Sequence, residues 1–392
     1  MKHNDHMNGN ALSNFHFGID ESLAMKGIAI FIMIFLHCFS TASRILDYPG
    51  VVDFSPFSES FVVNNCRIFK ICVPIYAFIS GYGLYLSAKS TISDPLSIKK
   101  WSITRFIKTF NGFWFVYIFV FIITLIYNQY PQQVYFSKGI TYGVFYMIID
   151  FMGLAELFST PMMDNVWWYM TPAIIFIFLI PFFVRVKKNY GFIPIIILVI
   201  FIPRLLIFNE FDSTTTYPFI FSLLLGAIFA EYRLFEKIDQ LKIVKDNTLN
   251  KIMFFIIWLA ILIVSSVIYM KAPITKVWEY NYGIYPVIFI IFFTKYFNRI
   301  PVIKNILIFF GKHSMNVFLI HHFIVHTFFT EFIYSFKYFW LIPIVLFAIS
   351  LALSFLIIEP LKKLVHWNKL MNLLTERISN RMDKKLLNKT VL

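Results

Sequence analysis

Apolar runs of about 20 residues recur along almost the whole chain, and they constrain the fold more than any other feature. A helical run of that length matches the hydrocarbon thickness of a bilayer. Backbone polar groups inside lipid must be satisfied within their own segment, so a helix is the form such a run takes. Ten runs read as spans: residues 23–42, 67–86, 111–130, 165–184, 191–208, 216–231, 252–270, 282–297, 314–331 and 338–359. The expected fold is therefore all-α, a polytopic membrane protein of about ten transmembrane helices. Composition agrees, since 59% of the 392 residues are hydrophobic whereas a soluble domain averages about 45–50%.

Charge orients the spans. With ten spans and both termini cytoplasmic, 27 of the 35 Lys and Arg residues fall in cytoplasmic segments, as the positive-inside rule requires. The stretch 132–164 has an apolar core near Ile140 to Phe158. An eleventh span there would place Arg185, Lys187 and Lys188 outside, so 132–164 is read as an external segment that dips into the membrane or lies on it. The net charge of +14 is spread between apolar runs, which argues for topology and against nucleic acid. The chain divides into a cytoplasmic N-terminal segment (1–22), a transmembrane domain (23–361) and a basic, partly helical cytoplasmic tail (362–392) attracted to anionic lipid. The first 22 residues, with Asp20 and Glu21, make a poor signal-peptide start, although Ser40-Thr41-Ala42 imitates a cleavage site. Cys38, Cys66 and Cys72 form no evident disulfide framework.

His37 is the main candidate for chemistry. An ionisable residue inside a span is costly and is a functional hypothesis by default. Lys26 lies eleven residues earlier in the same run, Leu23 to Ala42. Eleven residues make about three helical turns, roughly 16 Å of rise. The ammonium and the imidazole therefore share one helix face, one near a membrane surface and the other deep. That suits a long anionic donor anchored at the surface with its reactive end delivered to a base inside. The plainer alternative is a snorkelling lysine and a packing histidine.

Lys26-Gly27-Ile28-Ala29-Ile30, running on to His37, resembles the opening of the acyltransferase family 3 membrane proteins. Four further stretches are similar to that family in the same order. They are Val73-Pro74-Ile75-Tyr76-Ala77-Phe78-Ile79-Ser80-Gly81-Tyr82, Arg105-Phe106-Ile107-Lys108, Asn316-Val317-Phe318-Leu319-Ile320-His321 and Ile358-Glu359-Pro360. Trp167-Trp168-Tyr169, followed by Pro172 and Pro181, also looks family-like. The resemblance covers about residues 20–365. Lys26 and Lys108 stand where the family usually has arginine, which keeps the charge but loses the bidentate fork.

The resemblance implies an O-acyltransferase moving an acyl group, most often acetyl, from cytoplasmic acyl-CoA to a hydroxyl of a cell-surface polysaccharide or its lipid-linked precursor. It implies a bacterial plasma membrane, no permanently bound cofactor, and acetyl-CoA as donor substrate. Membrane lipid, a carbohydrate acceptor and polysaccharide-assembly proteins are the implied partners. Lys26, Arg105 and Lys108 would bind the CoA phosphates; Arg105 and Lys108, three apart, share a helix face. His37 would be catalytic, as general base or as nucleophile, and burial favours its neutral form.

Other residues carry two readings each. Trp167, Trp168 and Tyr169 are an interfacial aromatic belt or a stacking platform for a sugar. Arg204 is an interfacial anchor or an acceptor contact. His321 lines the cavity or packs. His322 and His326, four apart, have the spacing but not the third ligand of a metal site. Ser80-Gly81-Tyr82 is close helix packing or a thin channel wall. Glu359 ends a helix or takes part in catalysis. Asp150, Glu156 and Asp164 orient the imidazole only if 132–164 folds inward. A polysaccharide transporter or flippase, and a non-catalytic subunit of an envelope-assembly complex, are the rival functional classes.

Overall fold

The computed structural model describes residues 16–40, 52–205, 216–241, 248–272 and 277–390, so the cleavage-like Thr41-Ala42 lies outside the described residues. Every regular element among them is a helix. The main ones are α1 (Ile19–Phe39), α2 (Cys72–Thr91), α3 (Pro95–Asn128), α4 (Ile140–Phe151), α5 (Met170–Tyr190), α6 (Tyr217–Tyr232), α7 (Thr248–Lys271), α8 (Pro301–Phe323), α9 (Leu341–Leu353) and α10 (Trp367–Thr390). Six helical stretches among the described residues are long and apolar enough to cross a membrane. They become seven if α6 and the helix Leu234–Gln240, bent by 65°, make one span. The count of ten goes beyond this number. One reason is physical: α8 carries Lys304, Lys312, His313, His321 and His322, and it is an interior helix with little need to be apolar. In contrast, α7 buries only Ser265 and Tyr269, and its other faces are left for lipid.

The stretch 132–164 does fold inward. Its helix α4 has 12 residues, about 18 Å of rise, well short of the roughly 30 Å of hydrocarbon. The Asp150 carboxylate accepts bonds from Tyr135 Oη and, at 2.7 Å, from the Met163 backbone N–H, which ties the segment to itself. At 34 residues, about 51 Å, α3 is longer than the membrane is thick. Asp94 caps it, and the bonds from Ser97 N, Ser93 Oγ and Leu96 N hold its carboxyl below the usual carboxylate range. Lys100 pairs with Asp383 at 2.9 Å, and Trp367 Nε1 donates to the Asn111 carbonyl at 3.1 Å, so α10 packs along the start of α3.

Two close crossings organise the bundle. A Cβ on Gly27 would lie 2.1 Å from the Leu307 carbonyl oxygen, and one on Gly311 would lie 2.0 Å from that of Leu23. Each glycine thus sits against a carbonyl one turn earlier on the other helix, and α1 and α8 run parallel with Gly27 level with Gly311. The same device joins α2 to α6. There a Cβ on Gly81 would meet the Leu223 oxygen at 2.0 Å and one on Gly226 the Phe78 oxygen at 2.1 Å. Backbones this close are possible only without side chains. Lys304 closes the α1–α8 pair at one end by pairing with Glu21 at 2.6 Å. The Glu359 carboxylate accepts from Asn316 Nδ2 at 2.8 Å and from Lys362 Nζ at 2.9 Å, locking the far side of α8.

Gly27→Leu or Gly311→Leu must push α1 and α8 apart, and overpacking of this kind costs about 1–3 kcal/mol. Thermal unfolding of the detergent-solubilised variants should start several degrees lower, whereas Gly83→Leu, where a Cβ meets nothing within 4 Å, should melt like the wild type.

Candidate active site

A cavity of about 1300 Å³ runs beside α1, whose lining residues extend from Ser22 to Ser40. Eighteen residues rise about 27 Å, most of the hydrocarbon thickness. Both Lys26 and His37 line it, so the eleven-residue spacing does bring them to one face. Its volume exceeds the roughly 300–1,000 Å³ of an ordinary small-molecule pocket and leaves room for two substrates end to end.

At the Ser22 end, Lys26 is joined by Arg105 and Lys108 of α3. Arg105 Nη2 donates to Ser87 Oγ, and its guanidinium carbon stands 6.0 Å from the centre of the Trp101 ring. Tyr76, also in the lining, donates its hydroxyl to the Lys26 carbonyl at 3.1 Å and braces α2 against α1. Ser80 and Gly83 form the α2 wall, while Gly81 belongs to the crossing with α6.

At the other end His37 meets His321. His37 Nδ1 lies 2.6 Å from His321 Nε2. Each histidine stands ten residues beyond its crossing glycine, so parallel helices carry both to the same height. His321 is fully buried, and its Nδ1 lies 3.0 Å from the Val317 carbonyl oxygen and 2.9 Å from that of Phe318. Carbonyls only accept, so His321 Nδ1 bears the proton. A buried imidazole with no carboxylate bonded to it is kept neutral, which makes its Nε2 an acceptor. His37 Nδ1–H therefore donates to it, and Nε2 is the basic nitrogen of His37.

His322 faces the cavity. Its Nδ1 lies 2.8 Å from Asp164 Oδ1, and Asp164, 4% exposed, also accepts from the Val166 backbone N–H at 3.0 Å. The ring centres of His37 and His322 are 6.2 Å apart. Asp164, a sequence candidate for orienting the imidazole of His37, holds His322 instead. Asp150 is bonded to Tyr135 and Met163, and Glu156 is not in the lining.

The other sequence candidates separate. Trp168 and Tyr169 line the cavity. Trp167 is buried behind them, its Nε1 donating to the Leu319 carbonyl at 3.1 Å, so it presents no face to a sugar. Arg204 Nε donates to Glu279 Oε1 at 2.9 Å on an exposed surface away from the lining. His321 supports the site from behind and does not line it. Glu359 also lies outside the lining. His322 and His326 have ring centres 4.2 Å apart, but among the described residues no group of three or more His, Cys, Asp or Glu is arranged to hold a metal. Sequence reasoning undervalued His322 and passed over Arg67 and Lys70, which line the His37 end. The available signal was the His321-His322 pair: neighbours on a helix point about 100° apart, so the two cannot face the same way.

These observations define a multi-pass helical membrane protein with a long basic cavity and a paired histidine at depth. A family model described as an acyltransferase domain matches residues 19–359, and the chain belongs to that family, acyltransferase family 3; it is a membrane acyltransferase. No curated protein and no solved structure matches it.

His321→Leu would remove the acceptor that fixes His37. Acyl transfer should fall by on the order of 10²-fold, the lower end of what a positioned base contributes, with the KM for the acyl donor unchanged.

Proposed function

We propose that the protein is an O-acyltransferase that takes an acyl group, most often acetyl, from cytoplasmic acyl-CoA. The acceptor is a hydroxyl of a cell-surface polysaccharide or its lipid-linked precursor. The ten-span topology, with cytoplasmic termini in a bacterial plasma membrane, belongs to this reading. One observation carries it: the cavity joins three cations at its Ser22 end to His37 at depth. A CoA molecule entering from the Ser22 end would meet Lys26, Arg105 and Lys108 with its phosphates. Its thin pantetheine arm would run along the Ser80–Gly83 wall towards His37.

The acceptor hydroxyl would approach from the opposite mouth. His37 Nε2 takes the hydroxyl proton as the oxygen attacks the thioester carbonyl. The tetrahedral intermediate collapses, the carbon–sulfur bond breaks, and the proton passes from His37 to the leaving thiolate. His321 keeps Nε2 basic and stabilises the imidazolium through the same hydrogen bond. Trp168 offers an aromatic face to a sugar ring near the reacting hydroxyl. A transporter would need no base held in one tautomer, which favours the enzyme among the rival classes.

Radiolabelled acetyl-CoA supplied to membranes with extracted envelope glycans tests this. Wild type should label the glycan, and folded His37→Ala should fall by roughly 10²–10⁴-fold. Full activity in His37→Ala would sink the mechanism. Lys26→Ala and Arg105→Ala should mainly raise the KM for acyl-CoA; an unchanged donor KM in both would remove the proposed donor site.

A further inference from the structure

The tetrahedral intermediate of acyl transfer carries a negative oxygen, and base catalysis by His37 leaves that oxygen without a donor. His322 lines the same cavity as His37. The two ring centres are 6.2 Å apart and the ring planes meet at 77°, so neither ring covers the face of the other. A base and an oxyanion donor each reach about 3 Å to the atoms they serve. One carbonyl centre fits between two rings at this separation.

His322 is held by the segment that folds inward. Asp164 caps the 3-10 turn Asn165–Tyr169 by accepting from the Val166 backbone N–H, and the same oxygen lies 2.8 Å from His322 Nδ1. The Asp164 side chain is 2% exposed and lies outside the lining, whereas the His322 side chain is 17% exposed. Nδ1 is therefore turned into the protein, and Nε2, on the far edge of the ring, is the nitrogen left for the cavity. His326 packs against the ring with centres 4.2 Å apart.

Charge decides where the protons sit. Among the described residues Asp164 pairs with His322 and with no Lys or Arg. Asp150, a second buried carboxylate, accepts from the backbone N–H of the neighbouring Met163 at 2.7 Å. A buried pair left with a net negative charge is costly, and a second carboxylate beside it adds to the cost. Two arrangements leave the pair neutral overall. One is a carboxylate with an imidazolium; the other is a carboxylic acid donating to Nδ1 of a neutral imidazole. Both put a hydrogen on Nε2 of His322. His37 and His322 then present opposite functions to the cavity, a bare nitrogen that takes a proton and an N–H that donates a hydrogen bond.

We propose that His322 is a second catalytic residue, whose Nε2–H binds the thioester carbonyl oxygen and holds it as an oxyanion in the tetrahedral intermediate. The role rests on the reading of the cavity as an acyl-transfer site. As the acceptor oxygen bonds to the carbonyl carbon, the π pair of the carbonyl moves onto its oxygen. His322 Nε2–H donates to that oxygen and keeps its proton. When the pair returns, the carbon–sulfur bond breaks and the thiolate takes the proton held by His37. Asp164 is a positioning residue, which turns the His322 ring and fixes its protonation.

The test uses the full chain in phosphatidylcholine nanodiscs and has two readouts. In acetyl transfer to extracted envelope glycans, His322→Leu should lower kcat by about 10²–10³-fold, the usual cost of losing one oxyanion donor, with the KM for acetyl-CoA little changed. Glutamine can donate a hydrogen bond but cannot take a proton, so His322→Gln should recover about tenfold or more of the activity that His322→Leu loses. The second readout is calorimetric binding of two ketone analogues of the donor, acetonyl-CoA and trifluoroacetonyl-CoA; the second is hydrated to a tetrahedral centre. Wild type should prefer the hydrated analogue by about tenfold or more. His322→Leu should erase most of that preference and His322→Gln should keep part of it, while Arg105→Gln weakens both analogues alike. Wild-type kcat in His322→Leu, a His322→Gln no more active than His322→Leu, or an analogue preference that survives in His322→Leu would each overturn the role. If His322→Leu does not fold, the preference of His322→Gln decides: retained in part it supports the oxyanion donor, and erased it overturns it. Acyl transfer by wild type that ignores the His322 substitutions would fail the oxyanion donor alone, whereas a wild type that transfers no acyl group would fail the proposed function with it.

Discussion

The contact between the backbones of α1 and α8 at Gly27 and Gly311 is the interaction on which the site depends. A single histidine–histidine hydrogen bond contributes about 0.5–1.5 kcal/mol net, too little to hold two membrane helices in register. A crossing in which each glycine lies against the other helix's carbonyl excludes sliding by even one residue, because the next position carries a side chain. It also gathers many dispersion contacts of about 0.1–0.2 kcal/mol each. Ten residues further along both helices, His37 and His321 arrive together. The hydrogen bond then selects a tautomer, a chemical refinement of a position that packing has already set.

Electrostatics follow a similar division of labour. Polar groups on the outer faces of the interior helices are closed off in pairs, such as Lys304 with Glu21 and Lys362 with Glu359. The cavity lining holds Lys26, Arg67, Lys70, Arg105 and Lys108 and, among the described residues, no Asp or Glu. A cavity of this kind attracts anions and excludes free cations. Its long axis keeps the two ends apart by most of a bilayer's thickness, which under the proposed function would let a soluble donor and an envelope-bound acceptor meet without either crossing the membrane.

What the sequence revealed and what it hid have physical reasons. The apolar runs and the shared face of Lys26 and His37 follow from helix geometry within one segment, and geometry of that sort is written in spacing; the exclusion of 132–164 as a span comes from charge instead. The partnership of His37 with His321 joins residues 284 apart in sequence. It depends on a crossing whose glycines look alike whether they pack or line a channel; Gly81 and Gly83, two residues apart, do one each. Helix rotation was equally hidden: His322 rather than His321 faces the lumen, and Trp168 rather than Trp167. Counting spans by hydropathy is weak for α8, because this helix close to the chemistry carries Lys304, Lys312, His313, His321 and His322. The partner of Arg204 is hidden as that of His37 is, since Glu279 lies 75 residues away in sequence.

α8 fixes His37 with its proton on Nδ1 and its base on Nε2. Nitrogen-15 solid-state NMR of histidine-labelled protein in bilayers, with His37→Gln and His321→Gln samples to assign the signals, measures this directly. A neutral His37 with a protonated Nδ1, an unprotonated Nε2 and a through-bond correlation from Nδ1 to His321 Nε2 is the expected result. A His37 protonated on Nε2, or one with no correlation to His321, would contradict it.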